Sequence, residues 1–388
     1  MSVLGIVAEY DPFHNGHLRH LREAAAAVSP SAVLVALSGP VKQRGDLALL
    51  SPYARAEAAL AAGADAVFAL PVCWTVRDAE HYALGAVSLL SSLGATHLAF
   101  GAETADLPLL RKAACLLEDP PAPMRDALRA ALDEGCGYPA ALSRAAGAFL
   151  PESPSLLDRP NNILAVCYLR TIRRLDLSLV PVVIPRTGEY RSDTVLPEAP
   201  SASALRGALR RGAWEQALAA LPPASERIVR STFLSGAVPD LRRLDTVLTD
   251  KLRSMSREDF ARLPDCPEGL DVSLMKAARA ADTREAILAA LTTRRYPAAR
   301  ISRLCACALL GITADTLRDL SLPSSALLLA MKKNPSLTGS WKNCPVQVSA
   351  APEWLNSAGP ADRAAWRLWG LCAGMPAGFP CTQKLVTA

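Results

Sequence analysis

Three of the five histidines in this chain lie close together, at His14, His17 and His20. Pro12 restricts the preceding loop, and Gly16 lets the backbone approach a ligand closely. The helix expected to begin at Asn15 presents free N–H groups and a dipole that favour an anion. A neutral imidazole donates hydrogen bonds to phosphate oxygens without adding a permanent cation. The pattern therefore predicts phosphate chemistry, with His14 and His17 in contact with the phosphates.

Two other interpretations of these histidines remain open. A loop can hold one core histidine and two solvated ones, which is the usual situation for a single histidine. A metal site is the other alternative, but no cluster of Cys, Asp or Glu supplies the remaining ligands. Two histidines that flank Asn15 and Gly16 directly after a strand favour phosphate chemistry, and we predict no metal site.

Short apolar strands and longer helices alternate through the first half of the chain. The strands are predicted over residues 3–8, 32–37, 66–70, 97–100 and 179–184. The helices are predicted over residues 15–28, 52–62, 79–93, 124–134, 138–148 and 161–175. This alternation is typical of an α/β, Rossmann-like domain whose parallel sheet is covered on both faces. Such sheets bind ligands at the carboxyl ends of their strands.

The second half contains helical patterns and no convincing strand from about residue 214 onward. Those patterns cover residues 224–234, 243–255, 273–281, 284–291 and 301–310. Ser203 is predicted to cap a short helix over 204–211. We therefore predict two domains: a nucleotide-binding domain over 1–213, and a mainly α-helical, basic domain over 214–388. The tail after about residue 313 has no assignment.

Composition limits the class of protein. Of the 388 residues, 51% are hydrophobic and 20% charged, which excludes a disordered chain. No apolar run is long enough to span a membrane, and the N-terminus lacks the basic flank of a signal peptide. The ten cysteines form no C-x-x-C pair, and Cys305 and Cys307, which lie in an apolar helical stretch, are expected to be buried thiols. The protein is expected to be cytoplasmic and reduced.

The net charge of +5 is concentrated in the second half of the chain. Residues 216–388 carry 22 basic and 15 acidic side chains. Such a half suits a polyanion such as RNA, although a solvated basic face would have the same composition.

The segment H-N-G-H resembles the H-x-G-H signature of the nucleotidylyl transferase superfamily. The longer string GIVAEYDPFHNGHLRHL resembles one branch, the bacterial tRNA(Met) cytidine acetate ligase family. Further resemblances follow in the family's order, roughly over residues 2–312. They are the turn at Gln43, Arg44 and Gly45, and the segments THLAFGAE, RPNNILAVCYL, SASALRGAL and TTRRYPAARISRL. Asp11 departs from the family, which usually has Asn there.

The resemblance implies the reaction and its partners. Members of the family adenylate acetate with ATP and then acetylate N4 of the wobble cytidine in elongator tRNA(Met). The products are N4-acetylcytidine, AMP and pyrophosphate. ATP is thus the expected substrate, with Mg²⁺ neutralising its β- and γ-phosphates, and no covalent enzyme nucleophile is required. The resemblance does not indicate the oligomeric state.

The resemblance also implies the residues of the site, with His14 and His17 as the catalytic pair. The implied ATP-binding residues are Val7, Ala8, Glu9, Tyr10, Asp11, Pro12, Phe13, His14, Asn15, Gly16, His17, Leu18, Arg19, His20, Gly101, Asn161, Asn162, Arg186, Ser203 and Arg206. Asn161 and Asn162 could instead cap the following helix, and Arg186 could be a surface arginine. The candidate RNA contacts are Arg44, Arg294, Arg295, Tyr296, Arg300 and Arg303.

Two other functions fit the first motif. A small-molecule adenylyltransferase would transfer AMP to a phosphorylated metabolite, but it leaves the long basic helical half unexplained. A non-catalytic RNA-binding protein could retain a relic nucleotide site, but the intact His14, Gly16 and His17 argue against decay.

Overall fold

A mixed sheet of mostly parallel strands is the centre of the molecule. The structure, a computed structural model, describes residues 1–186, 200–333, 341, 344–348, 359–376 and 385–387. The strands that it describes are β1 (Val3–Ala8), β2 (Ala32–Ser38), β3 (Ala66–Leu70), β4 (His97–Ala102), β5 (Val180–Pro185), β6 (Ala326–Met331), β7 (Val346–Val348) and β8 (Val386–Thr387). Their order is β5-β4-β1-β2-β3-β6-β7, and β8 pairs with β6.

Helices cover the sheet and form most of the second half. Those of the first half are α1 (Asn15–Val28), α2 (Pro52–Ala62), α3 (Val72–Thr75), α4 (Ala79–Ser92), α5 (Leu107–Glu118), α6 (Ala122–Asp133), α7 (Tyr138–Gly147), α8 (Pro160–Arg174) and α9 (Ala202–Arg210). Those of the second half are α10 (Trp214–Leu218), α11 (Pro223–Leu234), α12 (Leu241–Ser254), α13 (Arg257–Ala261), α14 (Leu270–Ala280), α15 (Arg284–Leu291), α16 (Ala298–Leu310), α17 (Ala314–Arg318) and α18 (Pro360–Cys372).

The connections around β1 create a topological switch point. β1 pairs in parallel with β2 on one side and with β4 on the other. The chain runs from β1 through β2 to β3 in one direction, then returns to β4 and β5 on the opposite side. Parallel sheets bind ligands at the carboxyl edge beside such a point, and the loop that contains His14 leaves β1 there.

The α/β fold with a helical second half is confirmed, but the prediction that no strand follows residue 214 is wrong. β6 pairs with β3 in antiparallel orientation and extends the sheet of the first half, and β7 and β8 pair with β6 in turn. Its sequence, ALLLAM, contains Ala, Leu and Met, which favour helices, and lacks β-branched residues. A short, fully apolar run also has no periodicity that separates a strand from a buried helix.

Two hydrophobic cores cover the two faces of the sheet. One contains β1 residues such as Leu4 and Ile6 together with helical residues of the second half, including Leu248 and Trp366. The other lies under α4, α5 and α8. The helical half therefore packs directly against the sheet that carries the histidine loop. Within the described residues, no helix is both long and apolar enough to cross a membrane.

Candidate nucleotide-binding and catalytic site

The loop between β1 and α1 turns sharply before the helix begins. Tyr10 has φ of 48°, in the left-handed region, and the peptide bond before Pro12 is cis. Tyr10 and Phe13 are buried, and their ring centroids lie 4.9 and 5.7 Å from that of His17. These two aromatic side chains pack against the His17 imidazole at the start of α1. Within the segment 7–20, they therefore support the site without facing the ligand.

His14 and His17 form a stacked pair at the N-terminus of α1. Their ring centroids are 3.6 Å apart, with an interplanar angle of 20°. His17 Nδ1 accepts a hydrogen bond of 3.3 Å from the His14 backbone N–H, so the neutral ring carries its proton on Nε2. A Cβ on Gly16 would lie only 3.0 Å from His14 Cε1, which explains why a glycine stands between the two histidines in the sequence.

The surroundings of the three histidines keep them neutral. Burial, followed by the charges of Arg186 and Arg206, lowers the pKa of His14 to about 3. Burial also holds the pKa of His17 well below its usual range and, together with Arg186, lowers the pKa of His20 to about 4. Near pH 7 these rings can donate hydrogen bonds without carrying charge.

Two buried imidazole nitrogens point to a polar ligand at this position. His14 Nδ1 and His20 Nε2 have no hydrogen-bond partner among the residues that the structure describes. Gly101, at the end of β4, lies beside them: a Cβ there would be 3.7 Å from His20 Cδ2. Arg186 follows β5 and is exposed. Predicted residues from three segments of the sequence therefore meet at one edge of the sheet.

The Asp11 side chain is buried and has several polar partners. Its carboxylate accepts hydrogen bonds from the amides of Leu49 (2.8 Å) and Leu50 (3.1 Å) and lies 3.2 Å from Lys42 Nζ. Burial alone would raise the pKa of Asp11, but Lys42, Arg206, Arg55 and the Leu49 amide together lower it to about 2. Lys42, itself buried, compensates the negative charge that Asp11 adds near the histidines.

Arg206 also contacts this corner, from α9. Its Nη1 donates to the backbone oxygen of Asp11 at 2.8 Å, and its Nε lies 3.9 Å from the Asp11 carboxylate. The prediction that Ser203 caps this helix is wrong. α9 begins at Ala202, and the hydroxyl of Ser201 accepts the Ala204 N–H at 3.0 Å. Ser203 is exposed in the first turn.

Arg55 supports the backbone around the site, although no sequence motif predicted this role. It is fully buried in α2, and its guanidinium donates to the backbone oxygens of Glu9, Ser38, Gly39 and Leu50. These bonds join the ends of β1 and β2 to the segment that holds Asp11. The available signal was an arginine on the face of an alanine-rich helix that otherwise buries apolar residues.

Asn161 and Asn162 lie in the first turn of α8. The carboxylate of Glu103 accepts hydrogen bonds from their backbone amides at 3.3 and 2.9 Å. The side chain of Asn162 is bonded to Thr104 on its oxygen and to Thr104 and Leu156 on its nitrogen. The side chain of Asn161 donates to Glu103 and accepts a 3.4 Å hydrogen bond from Arg186. Of the two, only Asn161 is linked directly to Arg186. Glu103, which directly follows the strand segment THLAFGA, is a site residue that the sequence motifs did not predict.

Except for Arg44, the predicted RNA contacts lie in the second half of the chain, and the structure separates them into two groups. Arg294 and Arg295 are exposed in the connection between α15 and α16. The guanidinium of Arg295 lies 5.7 Å from the Tyr296 ring centroid. Arg300 donates two hydrogen bonds to the Asp265 carbonyl, and Arg303 is near Asp78 and Asp265.

The turn that carries Arg44 rests against this helical half. A Cβ on Gly45, whose φ is +83°, would be 2.6 Å from the Ser302 carbonyl oxygen. Ser302 Oγ donates to the Arg44 backbone oxygen at 2.5 Å, and the exposed Arg44 side chain lies at the junction of the two halves. The junction therefore links the Asp11–Lys42 corner to the helices that carry the basic residues.

The described residues offer no group of three or more His, Cys, Asp or Glu side chains that could hold a metal ion. Asp11, the carboxylate beside the histidines, is already engaged by Lys42 and by backbone amides. The expected buried thiols at Cys305 and Cys307 are confirmed.

The arrangement matches that of known proteins. The model of the HIGH nucleotidyl transferase family matches residues 1–338. The tRNA(Met) cytidine acetate ligase of Kosmotoga olearia is 36% identical over 313 residues, covering 78% of this chain and 74% of that protein. That of Acetivibrio thermocellus is 34% identical over 331 residues, covering 83% and 80%. This chain belongs to the tRNA(Met) cytidine acetate ligase family.

A solved structure has the same fold along its whole length. Thermotoga maritima TmcAL in its apo form superposes with a TM-score of 0.91 at 25% identity, and each chain is covered completely. The same protein bound with alpha-thio ATP gives a TM-score of 0.88. The family resemblance seen in the H-N-G-H segment is thus confirmed at the level of the fold.

Proposed function

We propose that this protein activates acetate with ATP and transfers the acetyl group to N4 of the wobble cytidine of elongator tRNA(Met). The observation that carries the proposal is the stacked, neutral pair of His14 and His17 at the start of α1, on the carboxyl edge of β1. Family membership and the solved relative bound to an ATP analogue support the same substrate.

In the first step, acetate attacks the α-phosphorus of ATP, and pyrophosphate leaves. The protein stabilises the charge that gathers on the phosphate oxygens, with neutral His14 and His17 as hydrogen-bond donors and Arg206 as a cation. His17 is suited to donate through Nε2, since Nδ1 is engaged by the His14 amide. Positioning and electrostatics suffice, because the reaction forms no bond to the enzyme.

The nucleoside is proposed to lie between α1 and the ends of β4 and β5. Gly101 leaves room beside His20, and Asn161 and Arg186 form a hydrogen-bonded pair at the same edge. Asn162 acts as a support, since its amide is satisfied by Thr104 and Leu156. The buried nitrogens His14 Nδ1 and His20 Nε2 have no hydrogen-bond partner among the described residues, and the bound ATP is proposed to supply one.

In the second step, the cytosine amine attacks the acyl carbon of acetyl-adenylate, and AMP leaves. The target base must leave the stack of the anticodon loop to reach this site. We assign residues 1–213 to ATP and residues 214–388 to the tRNA. The preferred phosphate contacts are the exposed Arg44, Arg294 and Arg295. The remaining proposed contacts are less exposed: Tyr296, Arg300 and Arg303. A cytoplasmic location is part of this proposal, and the use of ATP and tRNA as substrates supports it.

Mg²⁺ is proposed to accompany the nucleotide. The described residues do not fit a divalent cation by themselves, because they contain no suitable group of ligands. The phosphate oxygens of ATP would therefore supply most of the ligands, and the steps above depend only on residues of the chain.

One incubation tests the proposal. The protein is mixed with labelled ATP, labelled acetate, bulk tRNA and a metabolite extract, and each label is followed. Acetyl label in elongator tRNA(Met) is the expected result. AMP label on a metabolite would instead indicate a small-molecule adenylyltransferase, and ATP binding without turnover would indicate a non-catalytic RNA-binding protein. Either outcome would overturn the proposal.

A further inference from the structure

The C-terminal helix α18 reaches the segment that holds Asp11. The indole Nε1 of Trp369 donates a hydrogen bond of 2.8 Å to the carbonyl oxygen of Ala48. Both residues are buried, with 1% and 0% of their surfaces exposed. The next two residues, Leu49 and Leu50, are those whose amides bind the Asp11 carboxylate. Two hydrogen bonds, from Trp369 to Ala48 and from Leu49 to Asp11, thus connect the helix to the residue that anchors the histidine loop.

The segment 48–50 is confined on both sides. Ala48 N–H donates to the Pro40 carbonyl, and Arg55 donates to the Leu50 carbonyl. Leu49 and Leu50 pack in a core cluster with α9, the helix that carries Arg206. Trp369 supplies the donor on the remaining side, so its loss would leave the buried Ala48 oxygen without that partner.

α18 is itself fixed firmly enough to act as a support. Asp362 in its first turn accepts the Val72 amide at 2.8 Å. Trp366 packs against Tyr53 of α2, with ring centroids 5.6 Å apart. At the other end, the carbonyl of Cys372 accepts the Asp240 amide at 2.9 Å. The helix therefore contacts the first half and the helical second half at the same time.

We propose that α18 positions the ATP-binding corner, with Trp369 acting through Ala48 and the Leu49 and Leu50 amides on Asp11. This inference rests on the proposed ATP site and gives a function to the tail that sequence analysis left unassigned. Trp369 is a positioning residue, because it touches neither the histidines nor Arg206 in any described contact. A small displacement of Asp11 would shift the loop that carries His14.

The test compares two matched substitutions in the full-length protein. Trp369→Phe keeps a buried aromatic ring but removes the indole donor together with part of the ring volume. Trp366→Phe makes the same change one helical turn earlier, on a side chain that is 2% exposed and packs against Tyr53. Three quantities are measured: hydrogen–deuterium exchange of the segment 46–51, the Kd for ATP by calorimetry, and the melting temperature.

We expect Trp369→Phe to speed exchange in the segment 46–51 and to weaken ATP binding by about tenfold, as a misplaced binding loop would. Trp366→Phe should leave both quantities near the wild type, even where it lowers the melting temperature equally. Equal exchange and equal ATP affinity in the two variants would overturn the inference. If the wild-type protein itself binds no ATP, the proposed function fails, while the exchange comparison still decides whether α18 controls this segment.

Discussion

At the scale of single residues, the buried ion pair of Asp11 and Lys42 makes a sharp prediction. The Asp11→Asn variant keeps hydrogen-bond acceptors for Leu49 and Leu50 but leaves Lys42 buried without its anion. Breaking such a pair from one side costs about 3–5 kcal/mol in the free energy of unfolding. In the double variant with Lys42→Met, most of that loss should return. Urea unfolding measures both, and simply additive losses would contradict the pairing.

The neutral histidines predict how stability depends on pH. The unfolded chain protonates its histidines near pH 6.5, whereas folded His14 stays neutral down to a pKa of about 3. The unfolded state therefore binds more protons between these values, and the free energy of unfolding falls as the pH drops below 6.5. In His14→Gln, the slope near pH 5 should decrease by about 1.4 kcal/mol per pH unit.

This slope is measured by urea unfolding at several pH values, with wild type and variant compared directly. Asp362 titrates in the opposite sense, because burial raises its pKa to about 6, but its contribution is common to both proteins and cancels. Equal slopes would show that His14 is protonated in the folded state.

The sequence predicted the part of the site that is local in the chain. His14, Gly16 and His17 are close in sequence, and their meaning follows from the strand before them and the helix after them. Arg55, Glu103 and the partners of Asn162 depend on contacts between distant segments, and no spacing rule reveals those. Likewise, only the fold places Lys42 3.2 Å from Asp11.

At the scale of elements, the start of α8 separates two neighbouring asparagines. Asn162→Ala removes an amide that makes three buried or partly buried hydrogen bonds to Thr104 and Leu156, so it should lower the free energy of unfolding by about 1–3 kcal/mol. Asn161→Ala should instead weaken ATP binding with a smaller effect on stability. Thermal unfolding and ATP calorimetry on both variants check this division, and a reversed pattern would contradict it.

The connection between α15 and α16 carries the prediction for the RNA surface. Arg295→Glu should weaken tRNA binding, most visibly at low salt, and should spare formation of acetyl-adenylate. Loss of one phosphate contact changes the slope of log affinity against log salt by about one unit. Arg318→Glu makes the same charge change on α17, a helix that carries none of the proposed contacts, and serves as the control. Unchanged tRNA affinity in Arg295→Glu would remove this surface from the account.

Periodicity was a good guide to elements with a clear pattern and a poor one elsewhere. The predicted bounds of β1, α1, α2, β3 and α15 agree with the structure. The strand β6 was missed because its residues favour helices, and its place in the sheet comes from pairing with β3. The cap of α9 moved from Ser203 to Ser201 because the helix begins earlier than its apolar residues suggest.

At the scale of the whole molecule, the two halves share a hydrophobic core and a polar junction. Asp46 forms an ion pair with Arg284 of α15, which also donates to Ser302 of α16. The ATP corner and the proposed RNA surface are thus joined by partly buried polar contacts. Composition predicted a basic second half, but it could not predict that this half packs against the face of the sheet beside β1.

Acetate-dependent exchange of labelled pyrophosphate into ATP, measured without tRNA, tests the central claim most directly. The wild-type protein should catalyse this exchange only when acetate is present, because the back-reaction requires acetyl-adenylate. His17→Ala should abolish it while tRNA binding remains largely intact, since the basic surface lies on the other half. Exchange that persists in His17→Ala, or that is absent from the wild type with ATP and acetate saturating, would contradict the account.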